Sequence, residues 1–179
     1  QKILNKNPKG IILSGGPLSV YEKDAPQISK DILTSDIPVL GICYGMQLLV
    51  NVYNGNVGSS NNREYGTASL IHNNKSKLFK GVSPTSQVWM SHGDHLEKTP
   101  ENFSIDAKTK DDVPAGISSK DGLKYGIQFH PEVSHSKEGD KILKNFVFQI
   151  CNAKSNWTAE SFIQTQIKEI QETVGDSKV

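Results

Sequence analysis

Long apolar runs are missing from this chain. No stretch approaches the roughly 18 residues that a membrane-spanning helix needs, and the opening Gln1-Lys2-Ile3-Leu4-Asn5-Lys6 lacks the apolar core of a secretory signal. A cytosolic protein is the expectation. Cysteine is nearly absent: with only Cys43 and Cys151 in 179 residues, neither a disulfide framework nor a C-x-x-C zinc site can be built. Asn156-Trp157-Thr158 fits the N-glycosylation pattern, but without an export signal it carries no weight. An excess of one charge is also lacking. Twenty Lys and Arg face nineteen Asp and Glu, a net charge of +1, and the signs are mixed along the sequence, which argues against a nucleic-acid face. Repeats and low-complexity tracts do not occur, so a single domain is expected at this length. There is no initiator methionine, and the sequence reads as a piece cut from something longer.

What is present alternates in texture. Hydrophobic residues make up 35% and mean hydropathy is −0.46, suiting a soluble domain with a substantial core. Residues 9–13 read as a short strand ending in the tight loop Ser14-Gly15-Gly16-Pro17. Asp24 and Pro26 open a helix with Ile28, Ile32 and Leu33 on one face, and Ser35-Asp36-Ile37-Pro38 stops it. Residues 39–42 are continuously apolar, as in a buried parallel strand. Met46, Leu49, Val50 and Tyr53 follow at helical spacing over 46–54, closed by Asn54-Gly55. Strand, helix, strand, helix is the order of a right-handed α/β unit. Residues 56–62, Asn-Val-Gly-Ser-Ser-Asn-Asn, read as a flexible loop. Short β runs at 67–72, 87–90, 103–107, 115–118 and 124–129 then suggest an antiparallel or mixed layer. A helix over 139–151 carries Ile142, Leu143, Phe146, Val147 and Ile150 to cover the sheet. The last helix, 158–174, takes Thr158 as N-cap and bears a lone stripe, Ile163, Ile167, Ile170 and Val174, that needs a partner.

Gly41-Ile42-Cys43-Tyr44-Gly45 joins the 39–42 strand to the next helix and has the form of a nucleophile elbow. Its glycines permit a crowded turn that lifts the thiol from the sheet to a helix N-terminus, where a cysteine pKa can drop from about 8.5 to roughly 3.5–7.5. A cysteine nucleophile needs a base, and the base needs an orienting partner. His130-Pro131-Glu132 offers both directly after a strand. Residues two apart in extended chain face the same way, so Glu132 can hold one imidazole nitrogen while the other meets Cys43. Attack on a carbonyl builds an oxyanion, for which the Tyr44 N–H and the Gly16 N–H are the available donors. The glycine loop lacks the spacing of a phosphate cradle. Ser91-His92-Gly93-Asp94-His95 reads as a substrate loop. His92 and His95 lack the third ligand a metal would need, so no metal is expected, while His72 and His135 are expected on the surface.

Together these residues resemble the class I, or triad, glutamine amidotransferases, and within them the glutaminase domains of the GMP synthase branch. Ser14-Gly15-Gly16-Pro17, Gly41-Ile42-Cys43-Tyr44-Gly45-Met46-Gln47, Arg63-Glu64-Tyr65-Gly66, Trp89-Met90-Ser91-His92-Gly93-Asp94 and Gly126-Ile127-Gln128-Phe129-His130-Pro131-Glu132 run in the family order, with Val133-Ser134-His135-Ser136 closing the last. The resemblance implies an α/β fold with a mixed, doubly wound, flavodoxin-like sheet flanked by helices, short of an upstream central strand. It implies Cys43, His130 and Glu132 as catalytic triad, and Gly16 and Tyr44 as oxyanion donors. Gln47, Ser91, His92, Gly93 and Asp94 are implied as the parts that hold L-glutamine. Residues 1–155 correspond to the glutaminase, and 156–179 to a connecting helix toward an absent ATP pyrophosphatase (synthetase) domain. No cofactor is expected in residues 1–155, ATP and Mg belonging to the absent domain, which aminates ATP-activated XMP to GMP. Alternative readings are another triad amidotransferase, a direct γ-glutamyl hydrolase, or a non-catalytic regulatory module that kept the fold.

Overall fold

The structure is a computed structural model that describes residues 2–73, 75–156 and 158–175, the side chains of 60–64 excepted. Its strands are β1 (Ile11–Leu13), β2 (Val39–Ile42), β3 (Asn56–His72), β4 (Thr85–Lys98), β5 (Phe103–Thr109), β6 (Pro114–Ser119) and β7 (Lys124–Ile127). They form one sheet in the order β1-β2-β7-β6-β5-β3-β4. β1, β2 and β7 run parallel, with Ile12 opposite Leu40 and Gly41 opposite Gly126. The other pairings are antiparallel. The sheet is therefore mixed, as expected.

β2 is buried at every residue, because its alternating side chains meet helices on both faces. On one face Leu49 of α2 (Tyr44–Val52) packs with Val39 and with Leu33 of α1 (Lys30–Leu33). Met46 and Val50 continue that layer against Leu96, Phe103 and Ile117. On the other face Leu40 and Ile42 meet Ile142 of α3 (Gly139–Lys144) and Phe146 of the π-helical turn Asn145–Ile150. Each fully buried side chain of this size contributes about 1.5–3 kcal/mol.

Several elements differ from the sequence reading, and for residues 56–62, 91–94 and His72 tertiary contacts explain why. The first helix shortens to four residues. Residues 56–62 are not a loop: Asn56, Val57, Gly58 and Ser59 pair with Lys98, Leu96, His95 and Asp94, so ladder bonds outweigh the polar composition of this stretch. By the same pairing, Ser91-His92-Gly93-Asp94 sits on strand β4, not on a loop after it. His72 is buried, its ring 5.0 Å from that of Phe79 and its Nε2 bonded to the Ser83 carbonyl. His135 stays exposed. The helix over 139–151 changes to π geometry at Asn145. A last helix, α4 (Ala159–Val174), has Thr158 and Ser161 capping each other through side chain and backbone. None of its residues is buried, and Ile163, Ile167 and Ile170 face solvent.

Lys124 is a buried cation at the start of β7. Its Nζ donates to the carbonyls of Ser35 and Ile37, tying the segment after α1 to the sheet. Burial lowers its pKa, and Asp121 and Asp36 act in the opposite direction. Lys124→Met is expected to leave both carbonyls unpaired and to lower stability by about 2–4 kcal/mol, measured as a fall in Tm of roughly 5–10 °C. A wild-type melting curve would show that these bonds contribute nothing.

Candidate functional site

Cys43 occupies a backbone position that L-residues rarely adopt. Its φ of 51° and ψ of −109° cost of order 1–3 kcal/mol, and the surrounding packing holds them in place. A Cβ on Gly41 would overlap the Gly45 backbone, and one on Gly45 would overlap the Leu13 carbonyl. The two glycines thus let β2, α2 and β1 approach closely, and the turn between them has no room to relax. Cys43 N–H donates to the Ile127 carbonyl at 2.8 Å, and its side chain, on a residue 4% exposed, lies at the start of α2.

His130 follows β7 and is held by its backbone, its N–H donating to the Trp89 carbonyl at 3.0 Å. Its Nδ1 lies 2.7 Å from Glu132 Oε1, and its ring lies beside the Cys43 side chain in one cleft. Interaction with the Cys43 thiol is the main reason the imidazole pKa is pushed up to about 9; burial works against the rise, and Glu132 adds to it. Folding therefore favours the protonated ring. Its contribution to stability is complete below the ordinary value of about 6.5 and is lost as pH rises from there through about 9. Any rate that depends on protonated His130 is expected to fall with the same alkaline limb. An NMR titration of the ring should place its midpoint near 9 in the native protein and lower in Cys43→Ala, and an unchanged midpoint in Cys43→Ala would remove the thiol as the cause.

The two residues open into a cleft of about 630 Å³ lined by Gly15, Gly16, Gln47 and Ser91 through Asp94, among others. Gly15 packs against both partners: a Cβ there would lie 2.9 Å from His130 Cε1 and 3.5 Å from Cys43 Cβ. Gly16 lies beside Tyr44, whose N–H, first in α2, has no acceptor within the helix. The Tyr44 hydroxyl donates to the Pro26 carbonyl.

The far wall is β4. The Ser91 carbonyl is 3.7 Å from Cys43 Sγ. Buried Gln47 donates through Nε2 to the Asp94 carbonyl at 3.5 Å and to Gln128 Oε1 at 3.4 Å, so its amide braces the wall. His92 is buried with Nδ1 2.6 Å from the Asp94 carbonyl, and burial lowers its pKa. Gly93 lines the cleft between them.

Sequence reasoning missed the rim. Exposed Tyr21 donates to Asp94 Oδ1 at 2.8 Å across 73 residues of chain, and exposed Tyr65 lines the same mouth. A lone tyrosine in a polar segment carries no local signal of such a role. Tyr65 belongs to the Arg63-Glu64-Tyr65-Gly66 motif, of which the Arg63 and Glu64 side chains fall outside the described residues. Among the described residues, no three His, Cys, Asp or Glu side chains converge in a way that could hold a metal.

The family model "Glutamine amidotransferase class-I" matches residues 1–150. GMP synthase [glutamine-hydrolyzing] of Clostridium tetani is 49% identical over the whole chain. The Borrelia garinii protein of the same name is 51% identical over 180 aligned residues. The chain spans only 35% and 34%, respectively, of the length of these curated relatives. Among solved structures, a Thermoplasma acidophilum chain assigned to GMP synthase is 27% identical, with a TM-score of 0.68 over 89% of this chain and 76% of that one. A glutamine amidotransferase from Thermotoga maritima, 23% identical, shares the fold with a TM-score of 0.58 over 89% of this chain and 65% of its own.

Proposed function

The chain belongs to the class I glutamine amidotransferases, and we propose on that premise that residues 1–155 hydrolyse L-glutamine to glutamate and ammonia. The observation that carries this reading is Cys43 on a strained elbow, in one cleft beside a His130 that Glu132 holds from behind. Cys43 thiolate attacks the side-chain amide carbon. The oxyanion takes hydrogen bonds from the Gly16 and Tyr44 N–H groups, and protonated His130 gives its proton to the departing ammonia. The same imidazole then activates water, which cleaves the thioester and releases glutamate. Gln47, Ser91, His92, Gly93 and Asp94 form the wall against which glutamine is held.

In the intact protein the ammonia aminates ATP-activated XMP to GMP, a step of purine nucleotide biosynthesis. It takes place on a synthetase domain, for which the relatives' name and greater length speak, and which we propose binds ATP, Mg and XMP. The setting proposed is cytosolic. Residues 156–179 connect the two parts, and the α4 stripe Ile163, Ile167 and Ile170 packs on the synthetase side.

Binding of XMP and ATP then reaches the glutaminase across that contact. Glutamate release by the isolated chain is expected to be slow, and synthetase domain with ATP and XMP should raise it tenfold or more, about 1.4 kcal/mol of coupling. The measurement is glutamate release at saturating glutamine. A rate indifferent to synthetase, ATP and XMP refutes the coupling, and no glutamate release under any condition refutes the glutaminase.

A further inference from the structure

β4 is the last strand of the sheet, so the N–H and C=O groups along its outer side have no neighbouring strand. At Gln87 and Trp89 the turn that carries His130 takes them instead. His130 N–H donates to the Trp89 carbonyl and Lys137 N–H to the Gln87 carbonyl, both at 3.0 Å. The Ser136 hydroxyl completes the join, donating to the His130 carbonyl while accepting Trp89 N–H at 3.0 Å. A closed ring results, from Trp89 to His130 to Ser136 and back, using both backbone polar groups of Trp89 and both of His130. Ser136 is only 5% exposed, so its hydroxyl is turned inward to these two partners.

We propose that Ser136 is a positioning residue for His130, an inference that rests on the glutaminase reading above. Glu132 fixes only ring Nδ1 and is itself 48% exposed, so it restrains the imidazole but not the backbone beneath it. The Ser136 hydroxyl locks that backbone to β4, the strand whose Ser91 carbonyl lies beside Cys43 Sγ. Nucleophile, base and substrate wall are thereby held in one frame. Without the hydroxyl, the part-buried His130 carbonyl and Trp89 N–H both lose their partner, the peptide after His130 can rotate, and the ring moves off the thiol. The turn is packed tightly on its other side as well, since a Cβ on Gly139 would overlap the Pro131 carbonyl. Removal of the hydroxyl therefore acts on geometry at His130 more than on glutamine binding.

The test compares Ser136→Ala, Ser136→Val and Ser136→Thr in the intact protein, reading kcat and KM for glutamine together with the NMR titration of His130. Ala and Val are expected to lower kcat by about ten- to a hundredfold, the scale of a misplacement near 1 Å, with KM within about twofold. Ser136→Thr, which keeps the hydroxyl, should restore most of kcat. The His130 midpoint should fall from about 9 toward its ordinary value in Ala and Val but not in Thr. An Ala or Val variant within twofold of wild-type kcat overturns the proposal. So does a Thr variant as slow as Val, or a slow Ala variant whose His130 titration has not moved. If Ala and Val melt below the assay temperature, Ser136→Cys, with a weaker donor and acceptor at the same place, should be several-fold slow, and a full wild-type kcat there overturns the proposal too. A wild-type protein that releases no glutamate refutes the glutaminase reading itself, whereas an active wild type with an equally active Ser136→Ala refutes only the role of Ser136.

Discussion

Cys43→Ala is expected to lower glutamine hydrolysis by about 10⁴-fold or more, the scale of losing a nucleophile from a triad, while the melting curve stays near that of wild type. The substitution removes one sulfur atom from a mostly buried side chain and leaves the strained φ of 51° where it is, since alanine is no freer there than cysteine. The loss is therefore chemical. A glutamine-analogue electrophile should label Cys43 and spare Cys151. Burial pushes the Cys151 thiol up to about 11, and its sulfur packs so closely on Gly10 that a Cβ there would overlap it. Mass spectrometry that finds the label on Cys151, or a Cys43→Ala enzyme within tenfold of wild type, would sink the assignment.

Where local chemistry decides structure, the sequence was informative. Gly-x-Cys-x-Gly after an apolar run reads as a close crossing of strand and helix, and in the structure any Cβ at Gly41 or Gly45 meets backbone. The unbroken apolar run 39–42 reads as a strand buried on both faces, and the structure buries all four residues. Thr158 announces its helix by the cap it makes. What could not be read depends on partners far along the chain. Nothing in Asn-Val-Gly-Ser-Ser-Asn-Asn says strand until β4 lies beside it, and the same pairing turns the polar Ser91 to Asp94 cluster from loop to wall. His72 reads as a surface residue because the stacking ring of Phe79 and the Ser83 carbonyl are supplied by the next segment. Tyr21 reaches Asp94 only after the chain has folded back on itself. Ser136 is legible as part of a motif, but its two hydrogen bonds, and so its reason for being serine, exist only once the turn has docked on β4.

The base and its orienting partner should separate in magnitude. His130→Ala is expected to cost about 10³-fold or more in kcat, because the group that protonates ammonia and later activates water is gone. Glu132→Gln should cost far less, roughly 10- to 100-fold, for reasons visible in the geometry. The glutamine amide oxygen can still accept from Nδ1–H, the position is about half open to water, and His130 keeps both its backbone bonds and its contact with the thiol. A buried orienting carboxylate would be harder to replace, since its amide can fix the wrong tautomer. The variants should also differ in pH dependence. Glu132 raises the His130 pKa, though less than the thiol does, so in Glu132→Gln the alkaline limb of the rate should begin at lower pH, with the ring losing its proton sooner. The pH–rate profiles of wild type, Glu132→Gln and Glu132→Ala measure both effects. If both Glu132 variants keep the wild-type rate and the wild-type limb, Glu132 has no part in orienting His130.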